Sequence, residues 1–304
     1  MLLFISKRMF LAVCVSLVVS AASFALLYVS GDPATSLLGP NATDDDIKHI
    51  QVLYGFDRPI WEQFFGWLAR ALQGDFGRSY FFQVPVHNVL LERLPTTLKL
   101  GLCAIVFALV VAIPLGVAAA AKPNSVFDRL SLILSVAGQA IPSFWFGLML
   151  VVLFSVIWPI LPSSGSETWR HFVLPTIVLG YYATPAVMRL TRSGMIEVLD
   201  SDYIRTARAK GLKKRRVLYV HALRNAVIPV VSLAAAQFGF MLAGSVVVES
   251  VFALQGAGML AWESIIRGDL PTVQAIILIF SVTYVVLTFL ADVLNAWLDP
   301  TIKV

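Results

Sequence analysis

The chain has 304 residues, 58% hydrophobic and 13% charged, with a mean hydropathy of +0.81 and a net charge of +5. Soluble domains carry about 25% charged residues, so this chain lacks the polar surface to cover a water-soluble globule of its size and needs a lipid-facing surface. Its two cysteines, Cys14 and Cys103, lie in apolar runs, and no Cys/His pair has metal-ligand spacing, so neither a disulfide framework nor a zinc site is indicated.

The expected fold class is an all-α membrane protein. Runs of roughly 20 apolar residues mark membrane spans, and six occur: 9–29, 100–121, 130–158, 172–188, 226–248 and 273–297. The first follows Lys7 and Arg8 but is longer than the roughly 7–15 apolar residues of a signal peptide, so residues 1–30 read as an uncleaved anchor. The fourth is short and is interrupted by Pro175, Gly180 and Pro185.

Residues 31–97, between spans one and two, are too many for a plain connector. Thr43 with Asp46 reads as a capping box, and Gly55 as a helix stop. Pro59 suits the start of a second helix, which repeats Ile60, Phe64, Leu68 and Leu72 at i+4 and ends at Gly74. This loop therefore holds two short amphipathic helices with an aromatic face (Trp61, Phe64, Phe65, Trp67) suited to a membrane interface or to a partner protein.

Residues 98–304 hold the remaining spans, with a strongly basic loop between the fourth and fifth. Ten of the 23 basic residues lie within 189–224 beside three acids, a net +7, so the rest of the chain is −2. The positive-inside rule makes that loop cytoplasmic. Six spans then place both termini inside and 31–97 outside. Retention of positive charge inside also explains this cluster without nucleic acid. In the segment 197–224, Ser201 or Asp200 can cap a helix from Asp202, with Tyr203, Ala207 and Gly211 at i, i+4, i+8 and Gly211 as a left-handed stop. A second helix follows, with Val217, Leu218, His221 and Leu223 on its apolar side and Lys213, Lys214, Arg215 and Arg216 opposite. Two short helices hinged at a glycine form a projecting knob. Its small residues would let another backbone approach, and its charge alone would equally suit an anionic lipid surface.

At these residues the sequence resembles the integral membrane permeases of ABC importers for dipeptides, oligopeptides and nickel. ARAKGL at 207–212 and HALRNAVIP at 221–229 look like that family's coupling loop. GDFGRS at 74–79, LPTTLKL at 94–100, IPSFWFG at 141–147, LPSSG at 161–165, VVVES at 246–250, GAG at 256–258 and Asp299-Pro300 look like its landmarks, in order over nearly the whole chain. The wider importer class has glutamate-alanine-alanine where this chain has Arg205, Thr206 and Ala207. Gly211 is retained, and Arg224 stands where a proline is expected.

The resemblance implies a heteromeric importer of two homologous permeases, two ATPases and an extracytoplasmic substrate-binding protein, in the bacterial inner membrane. It implies an ATPase-coupling interface at Tyr203, Arg205, Thr206, Ala207, Arg208, Ala209, Lys210, Gly211, Leu212 and His221. No phosphate-binding G-x-x-x-x-G-K-[ST] loop occurs, so ATP and Mg are expected on partner subunits and no cofactor in this chain. Glu263, Arg267 and Asp269, between spans five and six, are candidates to meet peptide termini at the outer entrance. Glu249 and Asp292 lie near span ends, where partial hydration is expected. A nickel or metal-chelate importer is the alternative within the family, although the four scattered histidines give no site for the metal. An ion-coupled carrier would place charged groups at mid-membrane, and a membrane enzyme would carry paired acids or a H-E-x-x-H or G-x-S-x-G motif. Neither pattern is present.

Overall fold

The computed structural model describes residues 2–29, 33–38 and 42–298, so the Asp299-Pro300 landmark lies outside the described residues. In chain order the helices are α1 (Leu2–Val29), α2 (Pro33–Leu38), α3 (Asp44–Tyr54), α4 (Ile60–Leu72), α5 (Val86–Ala120), α6 (Val126–Ala140), α7 (Ser143–Val151), α8 (Val173–Leu199), α9 (Asp202–Ala209), α10 (Lys214–Arg216), α11 (Leu223–Ala226), α12 (Ile228–Val251), α13 (Ala257–Ile266) and α14 (Leu270–Leu298). Among the described residues there is no strand beyond an isolated Arg78–Pro85 bridge.

Five of these helices, α1, α5, α8, α12 and α14, are long and apolar enough to cross a membrane. The expected third span, 130–158, is not one helix. It divides at Ile141, which adopts an extended conformation (φ −85°, ψ 123°) ahead of Pro142, because proline disfavours the helical region for the residue before it. What remains is α6, then α7 continued by a wide π-helical turn, Val152–Ile157. Neither piece matches the length of the other five.

The 35 residues of α5 extend about 52 Å, well beyond a hydrocarbon core of about 30 Å. Its first turns therefore stand clear of the expected span at 100–121. The fourth span also grows, into the 27-residue α8, with Pro185 accommodated inside the helix.

Glycine sets the central contact. A Cβ at Gly180 of α8 would stand 2.5 Å from the Ala104 carbonyl oxygen of α5, and one at Gly116 of α5 would stand 2.8 Å from the Met188 carbonyl oxygen of α8. Lipid gives no hydrophobic drive between helices, so close backbone approach at small residues supplies the cohesion. Around this seam lie Leu100, Ala104, Ala108, Leu174, Val178 and Ala183, all buried. The guanidinium of Arg192 on α8 holds Asp128 of α6 through two bonds, of 2.6 and 2.7 Å. Asp128 is almost wholly buried and also accepts from the Asn124 N–H.

Two further buried carboxylates fasten the other end of the molecule. Glu249 near the end of α12 is fully buried, not partly hydrated as its position in the sequence suggested. It accepts from Thr97 Oγ1 of α5 at 2.6 Å and from the Met259 N–H in the first turn of α13 at 2.8 Å, while the Ala257 N–H donates to Thr97 Oγ1. A carboxylate there is favoured by the free N–H groups of a helix start. Side chains at Gly256 or Gly258 would overlap it. Asp269, also fully buried, accepts from Ser79 Oγ, the Tyr80 N–H and Thr272 Oγ1, which ties the turn after α4 to the start of α14.

The amphipathic α3 and α4 lie at this end. Thr43 and Asp46 form a reciprocal cap on α3, and Gly55 closes it with φ 72°. The Thr43 bonds hold the Asp46 carboxyl below the usual carboxylate range. That cap is intact at neutral pH and is lost only as pH falls below that range. α4 packs Phe64 and Trp67 on Phe24 of α1. Its buried residues are Trp67 and Ala71, and the Ile60 to Leu72 repeat packs only in part: Phe64 meets Phe24, whereas Ile60 and Leu72 face outward.

Gly180→Ala should lower unfolding stability by about 1–3 kcal/mol through overpacking, whereas Gly66→Ala in α4, where a Cβ meets nothing within 4 Å, should be neutral or slightly stabilising. Paired denaturation curves of the purified protein check this. In the same assay Thr97→Val, which strips two hydrogen bonds from the Glu249 cluster, should cost about 2 kcal/mol and Thr96→Val much less.

Candidate functional site: the basic loop between α8 and α12

Residues 200–227 leave the end of α8 and return to α12 as a compact projection. The Asp200 N–H bonds to the Glu197 carbonyl, and Ser201 turns extended (φ −71°, ψ 153°) to start α9. Ser201 Oγ donates to the Val198 carbonyl at 2.6 Å and caps no N–H of α9. Gly211 follows α9 with φ 74°, a conformation glycine adopts freely, and nothing stands within 4 Å of where its side chain would be. The return leg is α10, a π-helical turn at Val217–Ala222, and α11. The extra residue in such a turn re-aims side chains and recurs at functional sites.

The loop is anchored from beneath. Ile204 and Ala207 of α9 are buried with Val217, Ala222 and Ala226 of the return leg, Met195 of α8 and Val117 and Ala120 of α5. A Cβ at Gly194 of α8 would lie 3.0 Å from the Ala226 carbonyl oxygen, so α8 and α11 touch backbone to backbone. Asn225 Nδ2 donates to the Tyr203 hydroxyl at 2.8 Å and closes α9 onto the return leg.

The structure sorts the sequence-predicted residues into two sets. Tyr203, Arg205, Thr206, Arg208, Ala209, Lys210 and Gly211 are exposed. Ala207, Leu212 and His221 are not part of that outer surface. Ala207 is 7% exposed and faces the bundle, Leu212 packs on the same cluster, and His221 Nε2 is buried with no hydrogen-bond partner. The expected face of Tyr203, Ala207 and Gly211 is therefore split, because Ala207 follows Ile204 inward. What faces solvent is a rigid, cationic surface: Arg205, Arg208 and Lys210, then Lys213–Arg216, against Asp202, whose exposed pair with Arg205 (3.1 Å) holds little energy. It presents no nucleophile or acid–base pair.

The outer candidates separate as well. Asp269 cannot meet a solute, since it is fully buried and bonded to Ser79, Tyr80 and Thr272. Arg267 is exposed with its guanidinium 3.7 Å from the centre of the Phe81 ring, and Glu263 is half-buried on α13. Sequence reasoning did not reach the Thr97–Glu249 cluster, the Asp128–Arg192 pair or the Tyr203–Asn225 bond, whose partners lie 152, 64 and 22 residues apart. The only local hints were Gly256 and Gly258 beside Glu249.

Comparison with known proteins places this architecture. Residues 112–304 match the family "Binding-protein-dependent transport system inner membrane component", and residues 1–101 match the N-terminal domain of the same membrane components. The glutathione transport system permease protein GsiC of Escherichia coli K12 is 38% identical over 304 residues, covering 100% of this chain and 99% of that one. The same protein of Salmonella paratyphi A matches with the same identity and coverage. Among solved structures, the MetNI methionine ABC transporter in an inward-facing conformation matches with a TM-score of 0.57 and 17% identity, covering 69% of this chain and 96% of that chain. The chain belongs to the binding-protein-dependent transport system inner membrane components.

Proposed function

We propose that this chain forms half of the translocation pathway of an ATP-driven importer for di- or oligopeptides, and that the outward face of α9 and Gly211 docks on an ATPase subunit. Membership of the family makes the chain an inner-membrane permease subunit; ATP hydrolysis belongs to separate subunits. A substrate-binding protein, two ATPases and a second permease complete the proposed assembly. The observation that carries the coupling assignment is the construction of the 200–227 loop. Its outer surface is cationic, while its underside is locked to α5 and α8 through the Ile204–Ala207–Val217 cluster and the Gly194–Ala226 contact. A partner that displaces α9 must therefore move α8, and α8 must carry α5 at the Gly180 and Gly116 seam. ATP binding thereby selects between two packings of the membrane helices. Peptide as cargo draws support from the full-length similarity to a glutathione permease. A nickel or metal-chelate cargo is the second reading from the same family resemblance.

The proposed topology has both termini and the 200–227 loop in the cytoplasm and residues 31–97 outside, with the broken α6–α7 segment as the sixth crossing. A reporter at Gln73 should be accessible from outside and one at Lys213 from inside; the reverse result would overturn this arrangement. Gly211→Leu, on an open surface, should leave insertion unchanged and abolish coupled uptake or ATPase retention. Full uptake with normal complex yield would contradict the coupling assignment. The function itself is tested by purifying the chain with its co-expressed partners and measuring uptake of a labelled dipeptide. ATP- and binding-protein-dependent uptake is expected. Retained ATPases without peptide uptake would move the cargo to nickel or another small solute.

A further inference from the structure

At the α3–α4 end of α1 and α14 the structure holds a cavity of about 580 Å³, walled by the α3–α4 turn, one face of α4 and the turn that follows it. Its wall carries three arginines, Arg58, Arg70 and Arg78, and one acid, Glu62. Among the described residues no ion pair involves any of the three arginines. Gln274 of α14 lines the same cavity. It is 5% exposed, and its Nε2 is buried without a hydrogen-bond partner. A buried donor left unmatched is costly, and a cavity that also carries three guanidinium groups favours an anionic acceptor.

Next to this cavity, along the same two helices, runs an apolar groove of about 720 Å³, and Phe76 lines both spaces. On α1 the groove extends from Ser20 to Met9, about 17 Å along a helix, roughly half of a 30 Å hydrocarbon core. It offers no free polar group. Ser16, Ser20 and Thr283 each donate to a carbonyl four residues earlier in their own helix. Trp61, Phe65 and Leu72 of α4 point outward beside it, 63%, 63% and 82% exposed, as in a helix lying at a membrane interface.

We infer that cavity and groove form one site for an anionic phospholipid. Arg58, Arg70, Arg78 and the Gln274 amide hold its phosphate headgroup, and one acyl chain fills the groove between α1 and α14. A cationic space at the end of an apolar groove matches an amphiphile; Arg78 already donates to the Gln83 carbonyl at 2.7 Å, and a helix of the second permease would satisfy the groove yet leave the Gln274 amide without an acceptor and Arg58 and Arg70 without a counter-ion.

The test is native mass spectrometry of the complete transporter complex in mild detergent, with phosphatidylglycerol or phosphatidylethanolamine added back after delipidation. One phosphatidylglycerol per chain is expected to be retained in preference to phosphatidylethanolamine. Arg58→Gln/Arg70→Gln/Arg78→Gln should lower its retention about tenfold or more, and the corresponding triple lysine variant, which keeps the charge, should restore most of it. Val282→Trp, which fills the groove away from the arginines, should lower retention to a similar degree. Retention unchanged in the glutamine and tryptophan variants would overturn the site. So would stabilisation of the complex by inorganic phosphate alone, or a Val282→Cys cross-link to the second permease in a complex that holds no lipid. Retention is read whether or not the complex transports, so normal lipid retention with failed uptake counts against the cargo assignment and leaves this site standing.

Discussion

Where α5 and α8 cross, the carbonyl oxygen of Ala104 occupies the space a side chain on Gly180 would need, and the carbonyl oxygen of Met188 does the same at Gly116. In lipid no aqueous phase drives the helices together, so packing at this distance is what makes two helices behave as one body. The rest of the molecule is attached to that body. α6 is fastened to it by the Asp128–Arg192 pair, and α12 and α13 by the Thr97–Glu249 cluster. The basic loop grows from the end of α8 and packs its underside against the last turns of α5.

Buried carboxylates recur as the fasteners. Glu249, Asp269 and Asp128 are each almost wholly inaccessible, and each is met by several donors from at least two separate segments. A buried polar group is tolerated only when it is hydrogen-bonded, so each such site fixes the relative position of the segments that supply its donors. Two of these fasteners stand at the α13 end of the bundle and one toward the basic loop.

Local chemistry made some of this legible in the sequence. Thr43 with Asp46, Gly55, Gly74 and Gly211 are short-range signals whose physics is complete within a few residues, and the helix ends at α3, α4 and α9 follow from them. Apolar run length located α1, α5, α8, α12 and α14 but failed at 130–158, because hydropathy does not register the conformational restriction Pro142 places on Ile141. Burial was the other failure. Ala207, Asp269 and Glu249 were assigned from local polarity or helical spacing, whereas their surroundings are set by segments up to 190 residues away, such as Ser79 beside Asp269. A carboxylate near a span end reads as hydrated in one dimension and is wholly enclosed in three.

The claim on which the transport mechanism turns is that the outward face of α9, and not the loop as a whole, meets the ATPase. Its most direct test is a photo-crosslinking scan through 203–211 in the assembled complex. The coupling assignment requires ATPase adducts from Tyr203, Arg205, Thr206, Arg208 and Lys210, and none from Ile204 or Ala207, which face the bundle. Adducts only to lipid from the outward positions, or ATPase adducts from Ile204 and Ala207, would contradict it.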